Sequence, residues 1–68
     1  MSELYITDEK DVERCRAAKN EAEPIELTGT TAKSGILHAY GIVQSVEPVK
    51  LDAGRFLVKI ADKARAKT

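Results

Sequence analysis

The hydrophobic pattern of this 68-residue chain changes period at Pro24, and that change constrains the fold more than any other feature. Before Pro24, apolar residues recur every three or four positions, as on one face of a helix: Val12, Cys15, Ala18 and Ala22. After Pro24, apolar and polar residues alternate, as in strands with one buried face. Proline cannot continue a helix and favours extended geometry in the residue before it. The chain therefore divides into a helical first part and a β-rich second part.

The first part predicts a short strand followed by one helix. Residues 4–6 are apolar or aromatic, and Thr7 or Asp8 after them can cap a helix by accepting bonds from its first N–H groups. A helix is predicted over residues 8–20 because this segment has no glycine or proline. Its acidic residues cluster at the start and its basic residues come later, which suits the helix dipole.

The second part predicts three strands, over residues 25–28, 36–46 and 55–61, separated by turn-forming segments rich in small or polar residues. The middle strand would span about 36 Å, roughly twice the usual strand length. A strand that long must bend, and Gly41 is the predicted position of a bulge or kink. In the last strand, alternate residues beginning at Phe56 are predicted to face the core.

These elements predict one small α+β domain over residues 1–61. Its sheet is expected to be antiparallel, curved and three- to four-stranded, with one helix, in the order β-α-β-β-β. A partly open barrel is the limiting case. Residues 62–68 are predicted to be a frayed, charged tail. A chain this short buries only about 60% of its unfolded surface, so its stability should be marginal.

Opposite net charges on the two parts of the chain provide the main hint of a partner. Residues 1–26 hold eight acidic and four basic residues, a net −4, and residues 27–68 hold three acidic and seven basic residues, a net +4. A candidate binding surface combines one aromatic side chain with bases of the last strand and tail: Tyr40, Arg55, Lys59, Lys63, Arg65 and Lys67. Alternatively, these bases form an ordinary charged face that discourages aggregation at the sheet edge.

Composition excludes several classes of protein. Cys15 is the only cysteine, so no disulfide forms within the chain, and one cysteine with one histidine cannot supply a structural zinc site. No apolar run approaches the about 20 residues that span a bilayer, and the first ten residues lack the pattern of a signal peptide. We therefore expect a cytoplasmic, soluble protein without cofactor, metal or membrane attachment.

Two motifs that suggest catalysis or nucleotide binding fail on their context. Residues 29–34 resemble a phosphate-binding loop, but the spacing to Lys33 is short and a strand follows where a helix is required. Cys15 and His38 could pair as nucleophile and base, but catalysis also needs a third group that orients the base and an enclosed pocket, for which a chain this small has little volume. Cys15 is more simply explained as a small buried apolar side chain. We expect no enzymatic activity.

The sequence supports two hypotheses for the function. The first is a small non-enzymatic interaction module that binds a protein partner, or itself, through the face of the sheet. The long strand over residues 36–46 carries few charges and would offer backbone groups to a second copy. The second is weak nucleic-acid binding by the basic residues of the last strand and tail, although a pI of about 6.6 lacks the basic excess of strong binders.

Overall fold

The computed structural model of the protein describes residues 1–63. In chain order its elements are β1 (Ser2–Ile6), α1 (Glu9–Glu21), β2 (Pro24–Thr30), β3 (Ile36–Pro48) and β4 (Phe56–Asp62). One helix with a small antiparallel sheet, in the order β-α-β-β-β, confirms the predicted α+β class. Most of the predicted tail, with Arg65 and Lys67, lies outside the described residues. Within residues 1–63, no helix has the length and apolar content needed to cross a bilayer.

The sheet is antiparallel throughout and curls toward a ring. In β3, residues 36–42 pair with β2, and residues 41–43 and 45–48 pair with β4. The other edge of β4 pairs with all five residues of β1. The ring then closes between β1 and β2 at one registered pair, Tyr5 with Thr30. With only that pair along the β1–β2 seam, the sheet corresponds to the partly open form that the sequence predicts as its limiting case.

Gly41 lies where β3 passes between two neighbours, and it pairs with Ile25 of β2 and with Asp62 of β4. The predicted bulge is not at Gly41, because the register of β3 against β4 shifts between Val43 and Ser45. Gly41 instead permits a close approach of strands, since a Cβ there would overlap the backbone of β4 at Ala61.

The helix begins and ends at identifiable caps. The side chain of Asp8 accepts a hydrogen bond from the Lys10 N–H at 2.8 Å. At the other end, Ala22 adopts a left-handed conformation with φ of 53°, and the Glu23 N–H donates to the Ala18 carbonyl at 3.1 Å. Ala22 is therefore exposed, and the prediction that it continues the apolar face of the helix is wrong, because the left-handed turn directs the chain away.

The core lies inside the curl of the sheet, against α1. Buried apolar side chains from the helix and all four strands meet there: Leu4, Ile6, Val12, Cys15, Ala18, Leu27, Ala39, Val43, Val58 and Ile60. Phe56, one of the residues predicted to face the core, is only partly buried at its margin. Arg14 of the helix donates to the Glu26 carbonyl at 3.1 Å, which satisfies a backbone acceptor of β2 beside the open seam.

The strand ladder continues slightly beyond the predicted end of the domain at residue 61. Asp62 is the last residue of β4, and its carboxylate accepts a hydrogen bond from the Ser2 hydroxyl at 2.5 Å. The same carboxylate lies 3.2 Å from the amine of Met1. One residue later, the Lys63 N–H donates to the Tyr40 carbonyl at 2.9 Å. Asp62 and Lys63 therefore belong with the sheet and not with the tail.

Candidate interaction surface

Strand alternation divides the sheet into an inner and an outer surface. Leu4, Val46 and Val58 point into or against the core, so their neighbours along the strands point outward. We call the outward surface of β1, β4 and the adjoining part of β3 the outer face. Its residues are Glu3, Tyr5, Tyr40, Ile42, Ser45, Glu47, Arg55, Leu57, Lys59, Ala61 and Lys63.

Four of the six residues predicted as a binding surface lie on this face. Arg55, Lys59 and Lys63 follow β4 at intervals of four residues, which separates neighbouring cations by about 13 Å. Tyr40 lies across from Lys63 on β3, as the backbone hydrogen bond between them shows. Arg65 and Lys67 are not among the described residues. Binding by this group of residues stays a prediction.

Arg55 is engaged within the chain. Its guanidinium lies over the ring of Tyr5, 4.3 Å from the centroid, and 3.3 Å from the Asp52 carboxylate. The side chain therefore anchors the loop before β4 onto β1 and covers one face of the Tyr5 ring. The described cations that project from the outer face without such a contact are Lys59 and Lys63.

Carboxylates flank this row of cations on the neighbouring strands. Glu3 of β1 is directly opposite Lys59, and Glu47 of β3 is opposite Leu57, two residues from Lys59 along β4. One strand further, β2 adds Glu26. The outer face therefore carries both signs of charge and is not the basic surface that the net charge of the second part predicts.

The acidic excess of the first part does not come from the helix. Within α1 (Glu9–Glu21), four acidic and four basic residues cancel. The net −4 of residues 1–26 therefore belongs to four residues outside it: Glu3, Asp8, Glu23 and Glu26. Two of these, Glu3 and Glu26, lie on the outer surface of the sheet. Charge counted over the helix alone, with the strand alternation, would have revealed this from the sequence.

Leu57 is the apolar centre of the outer face. It is partly buried and lies between Tyr5 of β1 and Glu47 of β3 in the strand ladder. A second apolar row crosses the sheet further along, where Ala61 pairs with Ile42. Lys59 separates the two apolar positions of β4. The sequence places Leu57 on the outward side of the last strand but gives no sign that it is central.

Cys15 and His38 do not form a catalytic pair. Cys15 is fully buried in the core, and burial, with a smaller effect of the Asp11 charge, raises the pKa of its thiol to about 11. His38 lies on the outer surface, where its Nδ1 is 2.8 Å from the Thr28 hydroxyl. The sheet separates the two side chains. Residues 1–63 also contain no group of three or more potential metal ligands.

A cleft that the sequence did not indicate opens between the start of α1 and the start of β4. It encloses about 390 Å³, and its lining includes Val12, Phe56, Glu9 and Glu13. Arg16 also lines it, with the guanidinium 5.7 Å from the centroid of the Phe56 ring. The aromatic face in the cleft is therefore already covered by a cation of the same chain.

Comparison with known proteins identifies no family for this chain. No protein-family model, curated protein sequence or solved structure matches it. Function is therefore inferred from the geometry and chemistry of the outer face.

Proposed function

We propose that this protein is a small, non-enzymatic interaction module of the cytoplasm that binds a protein partner through its outer face. The observation that carries the proposal is the arrangement around Leu57. This partly buried apolar side chain has Tyr5 beside it, and Lys59, Glu3 and Glu47 surround the pair. An apolar centre within a polar rim is the usual composition of a protein–protein interface.

The balance of charge favours a protein over a nucleic acid. A surface that tracks a phosphate backbone needs an excess of cations, because its affinity comes from neutralising phosphates. Here Lys59 has Glu3 directly opposite and Glu47 diagonally across, so a polyanion would meet carboxylates beside the cation. A protein surface that itself carries both signs of charge fits such a pattern without this repulsion.

The central strand of the outer face, β4, is held on both sides before any partner binds. β4 is paired on both edges, with β1 on one side and β3 on the other. Contact between Arg55 and Tyr5 further fixes the loop that precedes β4. A surface built on a paired central strand loses little backbone entropy on binding, which favours specific recognition.

The test compares two leucine substitutions. Leu57→Asp places a charge at the centre of the outer face, whereas Leu51→Asp places the same charge on a loop where the native side chain is 99% exposed. Both variants should keep the circular-dichroism spectrum of the wild type. Quantitative affinity capture, with an untagged copy of the chain included as prey, should show polypeptides that wild type and Leu51→Asp retain and Leu57→Asp loses. Equal retention by all three proteins would contradict the proposal.

Nucleic-acid binding is the second candidate, and the specific observation in its favour is the row of Lys59 and Lys63 with Tyr40 opposite the latter. It predicts amide shifts at these residues on titration with a short single-stranded oligonucleotide at low salt, and an affinity that falls as salt is added. An absence of shifts at low salt would eliminate it.

A further inference from the structure

We infer that the partner of the outer face is a second copy of this chain, and that the two copies pack face to face about a twofold axis close to Leu57. The inference rests on the proposed function and makes its partner specific. Its basis is that, when the outer faces of two copies pack against each other, a positive charge near Leu57 on each copy can lie opposite a negative charge on the other.

Four outward positions around this point form a rectangle on the sheet. On β4 they are Leu57 and Lys59, and on β3 they are Glu47 and Ser45. Strand spacing makes one side about 4.8 Å, and two residues along a strand make the other about 6.6 Å. Lys59 and Glu47 occupy opposite corners, about 8 Å apart on these dimensions.

A twofold axis exchanges opposite corners of this rectangle. When the axis lies between two stacked sheets and crosses the diagonal from Lys59 to Glu47 at its midpoint and at a right angle, it places each Lys59 over the partner's Glu47. Both charge pairs then form at once, as an isologous interface requires. Leu57 lies near the axis at a remaining corner, so it contacts Leu57 of the partner subunit. The apolar contact is central and the two ion pairs surround it.

Not every superposition of the face on its own copy pairs opposite charges. Direct stacking of β4 on the partner's β4 would oppose like charges at Lys59. Glu47 is exposed, and within residues 1–63 neither Glu47 nor Lys59 takes part in an ion pair. Both side chains are therefore available to a partner, and complementary charge fixes the relative orientation of the copies more than it adds affinity.

The size of the face predicts a weak dimer. Three strands of five residues project to about 14 × 17 Å, or about 240 Å². Even doubled for the relief of the side chains, this remains below the about 800 Å² per partner that stable complexes bury. We therefore expect a dimer that forms reversibly at high protein concentration and weakens as salt is added.

The test exchanges charges between the two corners. Lys59→Glu alone places two glutamates opposite each other in both pairs, and Glu47→Lys alone places two lysines there. Sedimentation equilibrium should show at least about a tenfold weaker dimer for each variant. An equimolar mixture of the two should form a heterodimer within about threefold of the wild-type affinity, because both pairs regain opposite charges. Lys33→Glu, on the exposed β2–β3 loop, is the matched control and should leave dimerisation unchanged.

Two results would overturn the inference: a wild-type chain that stays monomeric at its highest soluble concentration, or a mixture that associates no better than its components. Circular dichroism on each variant separates a lost contact from a lost fold. If the chain is monomeric while Leu57→Asp loses capture of a different protein, the second copy is eliminated as partner and the proposed function stands.

Discussion

Gly41 shows at the residue scale how one side chain sets the path of a strand. It lies in the middle of a 13-residue strand, buried, with strands on both sides. A Cβ at this position would overlap the backbone of Ala61, and a backbone atom cannot move aside as a flexible side chain can. The absence of a side chain at Gly41 is therefore what allows β2 and β4 to flank β3 at the same point.

Substitution of Gly41 tests whether its missing side chain is what allows this close approach of the strands. Gly41→Ala should reduce the free energy of unfolding by about 3 kcal/mol or more, because strand pairing with β4 must open to accommodate the methyl group. Gly35→Ala is the control, since the nearest atom to its Cβ is a side-chain hydroxyl at 3.3 Å, and it should cost less than about 1 kcal/mol. Urea denaturation measures both, and equal costs would contradict the assignment.

At the scale of elements, the carboxylate of Asp62 links the end of β4 to the start of β1. A hydrogen bond from Ser2, followed by one from the terminal amine, lowers the pKa of Asp62 from its ordinary value of 3.8. Because the pKa of Asp62 is lower in the folded state, its carboxylate stabilises the fold at pH values above the pKa that it has in the unfolded chain. This stabilisation is lost as the pH falls through the pKa that it has in the folded state.

Asp62→Asn should remove this dependence on pH. The wild type should be more stable than the variant at neutral pH, and the difference should shrink below about pH 4 as Asp62 is protonated. Ser2→Ala, which removes the largest cause of the shift, should give an intermediate result. Denaturant midpoints measured from neutral to acidic pH provide the comparison. A difference that does not change with pH would contradict the role given to the carboxylate.

The helix and the strands could largely be predicted, since the hydrophobic period and the residues that cap the helix can be identified from the sequence. The prediction of a helix from Asp8 and of an alternating last strand is confirmed to within a residue or two. The predicted position of the bulge was wrong because that position depends on the register between β3 and β4, which the local sequence does not encode. The end of the helix was predicted to within one residue, but the left-handed cap at Ala22 was missed because a left-handed alanine has no sequence signal comparable to glycine.

At the scale of the whole molecule, the curled sheet brings together acidic and basic residues that lie in different parts of the sequence. Acidic and basic residues from the two parts of the chain meet on the outer face, where Glu3 of β1 lies opposite Lys59 of β4. Within residues 1–63, acidic and basic side chains of the two parts therefore share one surface, and the charges of opposite sign are not separated there. Sequence could place Arg55, Lys59 and Lys63 on one side of a strand, but not the carboxylates beside them, because β1 and β4 are distant in sequence.

The proposed association of two copies through the outer face around Leu57 can be tested by a concentration series of ¹⁵N–¹H NMR spectra. Amide shifts should change with protein concentration at Leu57, Lys59 and Glu47, and remain constant at Leu51 on the loop. The changes should diminish as salt is added. Spectra independent of concentration, or shifts centred on another part of the surface such as the exposed Ile36, would contradict the claim.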